Sequence, residues 1–233
     1  MTENTYKKVT NRDSLAPLFK DGMSILFGGF GGVGTPPGLV DLIIETGIKN
    51  LTLIGTDAGF PTIGIGKIIT KKRAKRLLVS HIGSNPTAGI YMNAGELEIE
   101  FSPQGTLIER IRAGGMGLGG ILSDIGIEAE IVNQNKEKVK VAEKEYLIEP
   151  AITSDVAIVY AKKADYYGNL VFDKSARNSN PYVAMAGKTT IVEALEIVPI
   201  GSLNPEEIIT PGVFVDYIVQ SKGVNWQWAW EQK

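Results

Sequence analysis

Ser24-Ile25-Leu26-Phe27-Gly28-Gly29-Phe30-Gly31-Gly32-Val33-Gly34-Thr35-Pro36-Pro37-Gly38-Leu39-Val40 is the stretch on which the reading of this chain turns. Ile25 to Phe27 is a short apolar run and reads as a buried strand. Five glycines follow between positions 28 and 34. Glycine tolerates positive φ and lets a ligand approach the backbone closely. Thr35 is placed as an N-cap and Pro36 as the first helical residue. Leu39, Val40, Leu42, Ile43 and Ile44 then form the apolar face of a helix. Strand, glycine loop and helix start predict backbone N–H groups and a positive dipole end, both suited to an anionic group.

Outward from that unit the alternation continues. Leu51 to Gly55, Leu77 to Ser80, Asp155 to Ala161 and Thr189 to Val192 read as strands, with Pro211 to Val215 as a late one. Ser14 to Lys20 reads as a short helix capped by Asp13, and Gly47 and Gly114 are placed as C-caps. The expected fold is α/β, an open, mostly parallel sheet flanked by helices, with ligands bound outside the carboxyl ends of the strands. Gly114 to Gly120 is a second glycine-rich run, either an adaptable loop or a close-packed turn. Gln134 to Glu143 is charged and reads as an exposed hairpin or excursion. No internal repeat or linker divides the chain, so residues 1–233 read as one domain.

The 233 residues are 43% hydrophobic and 21% charged, enough for a full core. A net charge of −2 gives no global signal for nucleic acid. The absence of cysteine excludes disulfides, thiol catalysis and zinc ribbons, and one histidine argues against a zinc site. Met1 to Asp13 is polar and no apolar run reaches membrane-spanning length, so a cytoplasmic chain that enters no membrane is expected.

Several residues invite chemistry. Gly29, Gly31 and Gly34 match G-x-G-x-x-G, and Asp57 follows the second strand where a ribose-binding acid sits in nicotinamide-dependent dehydrogenases. Pro36 and Pro37 argue against that fold, because they would fall inside the first turns of its helix. His81 invites a general-base role, but no nucleophile elbow accompanies it, and local hydrogen bonding is its default. Glu96, Glu98 and Glu100 share one strand face, and Lys71 to Arg76 holds five basic residues in six. Solvated or subunit-facing surface is the plain reading of both, with a contact to a phosphorylated ligand the sharper reading of the basic run. Arg177, in Ser175-Ala176-Arg177-Asn178-Ser179-Asn180-Pro181, suits a carboxylate, a phosphate or an internal ion pair. Trp226, Trp228 and Trp230 alternate in the tail and suit either a buried segment or a subunit contact. Gln104 sits at the turn between a strand and a helix in Ser102-Pro103-Gln104-Gly105-Thr106-Leu107. There it either caps the helix or offers its amide to a reacting carbonyl.

Taken in order, GGFGGVGTPPGLVDLI, LTLIGTDAG, SHIGSNP, SPQGTLIERIRAGG, SARNSNP and ITPGVFVD resemble the alpha subunits of family I CoA-transferases, over nearly the whole chain. The resemblance implies a sugar-phosphate-isomerase-like superfold and reversible CoA transfer between short carboxylates such as acetate, butyrate, acetoacetate or related 3-oxoacids. It implies that Gly28, Gly29, Phe30, Gly31, Gly32, Val33 and Gly34 bind CoA, and that Gln104 reaches across the subunit boundary to help hold the oxyanion. CoA and acyl-CoA enter as substrates, and no permanently bound cofactor or metal is implied. The attacking glutamate of such enzymes, which forms a glutamyl-CoA thioester in a ping-pong cycle, belongs to the beta subunit in an E-N-G-like motif that this chain lacks. A beta partner, in a heterodimer or an α2β2 tetramer, is therefore expected, and the chain alone should be inactive. The alternatives are the nicotinamide-dependent dehydrogenase above and a non-catalytic sugar-phosphate-binding regulator of the same broad fold.

Overall fold

The structure is a computed structural model that describes residues 4–134 and 136–227. In chain order its strands and helices are β1 (Ser24–Phe27), α1 (Pro37–Glu45), β2 (Leu51–Ile54), α2 (Gly66–Thr70), β3 (Ala74–Val79), α3 (Pro86–Asn93), β4 (Glu98–Phe101) and α4 (Gln104–Gly115). Then come β5 (Gly120–Ser123), α5 (Glu130–Asn133), β6 (Lys138–Val141), β7 (Lys144–Pro150), β8 (Ser154–Asp165), β9 (Leu170–Val171), α6 (Asn180–Ala186), β10 (Gly187–Val198) and β11 (Tyr217–Gln220). The main sheet runs β11-β10-β8-β1-β2-β3-β4 with every neighbour parallel, and β9 adds antiparallel to β8. A separate antiparallel sheet, β5-β7-β6, contains the hairpin expected near 134–143, but a three-stranded sheet was not expected there.

Strand alternation produces the layers. Ile25 and Phe27 of β1, with Val156 and Ile158 of β8, face one core with Leu39, Ile43, Ile68 and Ala88. Leu26, Ala157 and Val159 face the other, with Leu107, Ile111, Val183 and Ala184. The period-two pattern thus buries both faces, as a parallel sheet between helices requires. From β1 the chain steps outward through β2, β3 and β4, then returns to β8 on the opposite side of β1. The gap between the β1 and β8 ends is therefore the point at which strand order reverses, where ligands of open α/β sheets bind.

The first helix is a 3₁₀ segment, Arg12–Leu18, capped by Asn11, whose side chain accepts from the Asp13 N–H. Pro17 inside it cannot donate to an α-helical ladder, which favours the short 3₁₀ form. Helix α1 starts at Pro37, because the Thr35 hydroxyl turns back to the Gly28 carbonyl (3.1 Å) and does not cap it. Pro211 to Val215 is no strand: the Gly212 N–H is held by Asn169 Oδ1 (2.9 Å), and pairing resumes at β11. Helix α4 runs past Gly114 through Gly115, whose bare Cα lets it pack on Met185 of α6. The start of the second glycine-rich run is thus a close-packed helix end. Among the described residues no helix is long and apolar enough to cross a membrane.

The basic and acidic runs answer each other. Arg76 of β3 pairs with Glu98 (3.1 Å) and Glu100 (2.7 Å) of β4, and Lys72 with Glu96 (2.6 Å). Glu100 also meets Arg110 of α4 (3.1 Å), which is buried and donates to the Pro150 carbonyl of β7 (2.9 Å). This network seats α4 between the main sheet and the small one.

Asp155, at the start of β8, ties three central strands. It accepts from the Ser24 N–H and hydroxyl (2.9 Å each) and from Lys188 Nζ of β10 (2.9 Å). Those hydrogen bonds, the Ser24 amide foremost, hold its carboxyl down from the ordinary 3.8 to about 2. A carboxyl depressed in the folded state stabilises it above the unfolded pKa, and that contribution disappears as pH falls through the folded value. The unfolding midpoint of Asp155→Asn should thus lie below that of the parent by a constant amount above about pH 5. The gap should close between about pH 4 and pH 2. Chemical denaturation at a series of pH values measures it, and a gap that persists unchanged at the acid end would exclude this role.

Candidate active site

The glycine loop is a tight hairpin at the carboxyl end of β1. Phe30 and Val33 exchange both backbone hydrogen bonds (2.9 Å each), and the Thr35 N–H returns to Gly32 O (3.2 Å). Side chains from distant elements complete it. Thr56 Oγ1 donates to Gly29 O (2.6 Å) and Asp57 Oδ2 accepts from the Gly31 N–H (2.7 Å). Asn178 Oδ1 accepts from the Gly29 N–H (3.1 Å), and Asn180 Nδ2 donates to Gly34 O (2.9 Å). Within the loop, the Gly32 and Gly34 N–H groups are the ones that bond no described residue. Both residues are buried, Gly32 beneath Ile63 and the Trp226 ring and Gly34 against Ala176, Asn178 and Asn180, so the loop is a self-bonded frame that offers a ligand fewer donors than its glycine content suggests. Gly34 holds φ +77°, and a Cβ there would lie 2.3 Å from the Ala176 carbonyl oxygen.

A second hairpin of the same form follows β2. Phe60 and Ile63 exchange backbone bonds (3.3 and 3.1 Å), and Gly59-Phe60 and Ile63-Gly64 occupy the places of Gly29-Phe30 and Val33-Gly34. The two pack together, Ile63 lying against Gly32. A G-F-x-x-[VI]-G pattern repeated at Gly29 and Gly59 carries this duplication and is the signal by which the sequence could reveal it. The Trp226 ring closes on Gly32 from the tail, which settles that residue as half-buried, while Trp228 and Trp230 lie outside the described residues.

The helix end thought to await an anion is already occupied. Glu193, 2% exposed on β10, accepts from the Leu39 N–H of α1 (3.0 Å) with Oε2 and from Ser221 Oγ (2.6 Å) with Oε1. Burial pushes its carboxyl up, against the hydrogen bonds from Ser221, Leu39 and Gly38 that favour the charge. The anionic partner of α1 is internal. Helix α4 differs: no side chain caps it, and its first residue is Gln104. The exposed Gln104 carboxamide bonds no described residue.

These parts meet in one cavity of about 390 Å³, lined by Phe30, Val33, Thr56, Gln104, Ile108, Ser175, Asn178 and Ser179. It gathers the loop after β1, the turn after β2, the start of α4 and the segment between β9 and α6, at the strand-order reversal. Gln104 and the glycine loop of the same chain thus share a wall. None of the lining residues carries a titratable acid or base. The remaining candidates stand apart. Both Asp57 oxygens are consumed, Oδ1 by the Gly59 N–H (2.5 Å), and the side chain is buried, so it is unavailable to a ribose. His81 packs against the Phe30 ring, with Nδ1 3.2 Å from Ser80 Oγ. Exposed Arg177 makes no ion pair among the described residues and borders a neighbouring groove with Lys162 and Lys174.

Comparison with known proteins places this arrangement. The family model described as coenzyme A transferase matches residues 9–221. A probable coenzyme A transferase subunit alpha of Bacillus subtilis is 54% identical over 97% of this chain and 99% of its own length. The acetoacetyl-CoA:acetate/butyrate CoA transferase alpha subunit of Clostridium acetobutylicum is 46% identical over 91% and 97%. The acetate CoA-transferase subunit alpha of Escherichia coli is 43% identical over 93% and 97%. An acyl-CoA transferase of Escherichia coli, solved as a thioester complex with CoA, superposes with a TM-score of 0.84 at 22% identity, covering 95% of this chain but 49% of that one. Glutaconate coenzyme A-transferase of Acidaminococcus fermentans gives 0.81 at 21%, covering 91% and 75%. At those identities the solved structures attest the fold.

Proposed function

Since the chain belongs to the coenzyme A transferase family, we propose that it is the alpha subunit of a short-chain acyl-CoA:carboxylate CoA-transferase, with acetate, butyrate, acetoacetate or a related 3-oxoacid as acyl group. The observation that carries this is the cavity itself. It presents amide donors and apolar walls but no carboxylate, thiol or amine to attack a thioester, and its hydroxyls, on Thr56, Ser175 and Ser179, have no base among the lining residues to activate them. The attacking carboxylate comes from a beta subunit docked over the opening, as the names of the alpha-subunit relatives and the sequence resemblance support.

In this reading the beta glutamate adds to the acyl-CoA carbonyl, CoA leaves as thiolate, and an acyl-glutamyl anhydride remains. The thiolate then attacks the glutamyl carbonyl, releasing the first carboxylate and leaving a glutamyl-CoA thioester, which the second carboxylate reverses. Each addition places negative charge on a carbonyl oxygen. The Gln104 amide and the open end of α4 are the donors this chain supplies to it. Gly28, Gly29, Phe30, Gly31, Gly32, Val33 and Gly34 are the loop proposed to receive CoA, with Phe30 and Val33 as its members on the cavity wall. CoA comes and goes as substrate. The unit proposed is the whole chain, 1–233, as one domain. The cytoplasm is the compartment proposed.

The test is reconstitution. The purified chain should exchange no CoA between acetyl-CoA and short carboxylates, and adding its beta partner should restore exchange with parallel-line, ping-pong kinetics. Full turnover by the isolated chain would overturn this assignment.

A further inference from the structure

We propose that Asn178 is a positioning residue for this reaction, clamping both sides of the glycine hairpin so that its cavity wall, Phe30 and Val33, stays in register with Gln104. The proposal rests on the transferase reading above.

The carboxamide of Asn178 works at both ends. Its Oδ1 accepts from the Gly29 N–H (3.1 Å) and the Ser179 N–H (2.6 Å). Its Nδ2 donates to the carbonyls of Val33 (2.9 Å) and Ser175 (3.3 Å). One side chain therefore bridges the entry and exit of the hairpin, and it lines the cavity with Phe30, Val33 and Gln104.

The backbone argues that this side chain is kept for its own sake. Asn178 has φ 24° and ψ −119°, a positive-φ conformation that a side chain disfavours and glycine tolerates better. A glycine would fold more easily here but could not bridge the loop. Strain held beside a cavity is a recognised mark of pre-organisation. Nearby Asn180 is different in kind. It is fully buried, bonding the Tyr160 N–H (3.1 Å) and the Gly34 and Ala176 carbonyls (2.9 and 3.0 Å), and it props the loop from below. Thr35 on Gly28 and Asp57 on Gly31 also remain when Asn178 is removed. Loss of Asn178 should therefore loosen the cavity-facing tip without unfolding the chain.

The experiment compares Asn178→Gly and Asn178→Ala in the complex with the beta partner, by thermal unfolding, amide hydrogen exchange and steady-state kinetics. The glycine variant should unfold at or above the temperature of the alanine variant, because it relieves the unfavourable φ. Both should still lose about 10- to 100-fold in kcat/KM for acyl-CoA, the scale expected when a reacting wall shifts by about an ångström. Amide exchange in 29–33 should rise in both, with strands β1 and β8 unchanged. A purely architectural residue would show stability and rate moving together. Asn178→Gly with parental kcat/KM, or loss of assembly in both variants, would overturn the proposal. An inactive parental complex would instead defeat the transferase reading, while faster loop exchange would still report the clamp.

Discussion

Replacing Gln104 by alanine in the assembled enzyme should lower kcat by about 10²–10³-fold, the usual consequence of deleting one oxyanion donor. The complex should still form. Gln104 is the first residue of α4, exposed and without hydrogen bonds to described residues, so its truncation leaves no buried group unsatisfied. The helix is held from elsewhere, by Leu107 and Ile111 in the core and by Arg110 between Glu100 and the Pro150 carbonyl. Because the oxyanion exists only along the reaction path, the loss should fall on kcat and kcat/KM alike. Gln104→Glu separates the donor from mere bulk: it keeps the shape, removes the N–H groups and brings a negative charge, and should be no faster than alanine. A rate within about threefold of the parent for Gln104→Ala would remove the amide from the mechanism.

Gly34→Ala should be the most damaging small substitution in the loop. Its φ of +77° disfavours any Cβ, and the added methyl would stand 2.3 Å from the Ala176 carbonyl oxygen, which belongs to backbone and cannot swing aside. The backbone conformation alone costs about 1–3 kcal/mol. With the clash the total should reach roughly 2–4 kcal/mol, a fall of about 5–15 °C in the unfolding temperature of a chain this size. Activity should fall further than stability, because relieving the clash moves Ser175, Asn178 and Ser179, which line the cavity. Gly47→Ala is the control. It also has positive φ (75°), but a Cβ there meets nothing within 4 Å, and the cavity is remote from it. It should lower stability modestly and leave kcat alone. Equal effects of the two substitutions on kcat would show that the loop's close packing is irrelevant to turnover.

Much of the site was readable beforehand because its markers are local. A glycine cluster between an apolar run and a helix start, and Gln104 between a strand and a helix, declare themselves within a few residues. The duplicated G-F-x-x-[VI]-G is equally local, but six residues are too short a repeat to divide a chain, and its meaning shows only where the two hairpins pack together. Asp57 misled for the opposite reason. Its position after β2 is right for a ribose acid, but its carboxylate is consumed by the Gly31 and Gly59 amides, partners no local window reveals. The acidic and basic runs looked like two separate surfaces until parallel pairing of β3 and β4 laid one on the other.

Spacing along short segments was enough to set the alternating α/β order, the apolar strand faces and the residues competent to donate to an anion. Tertiary structure alone decided which of those donors remain open. Glu193 arrives from β10 to close the end of α1, Asn178 and Asn180 arrive from beyond β9 to occupy the glycine loop, and α4 keeps its end bare beside the cavity. The physical reason is that a backbone N–H can satisfy only one strong acceptor at a time. Its availability depends on whatever the fold brings near, however distant in the chain.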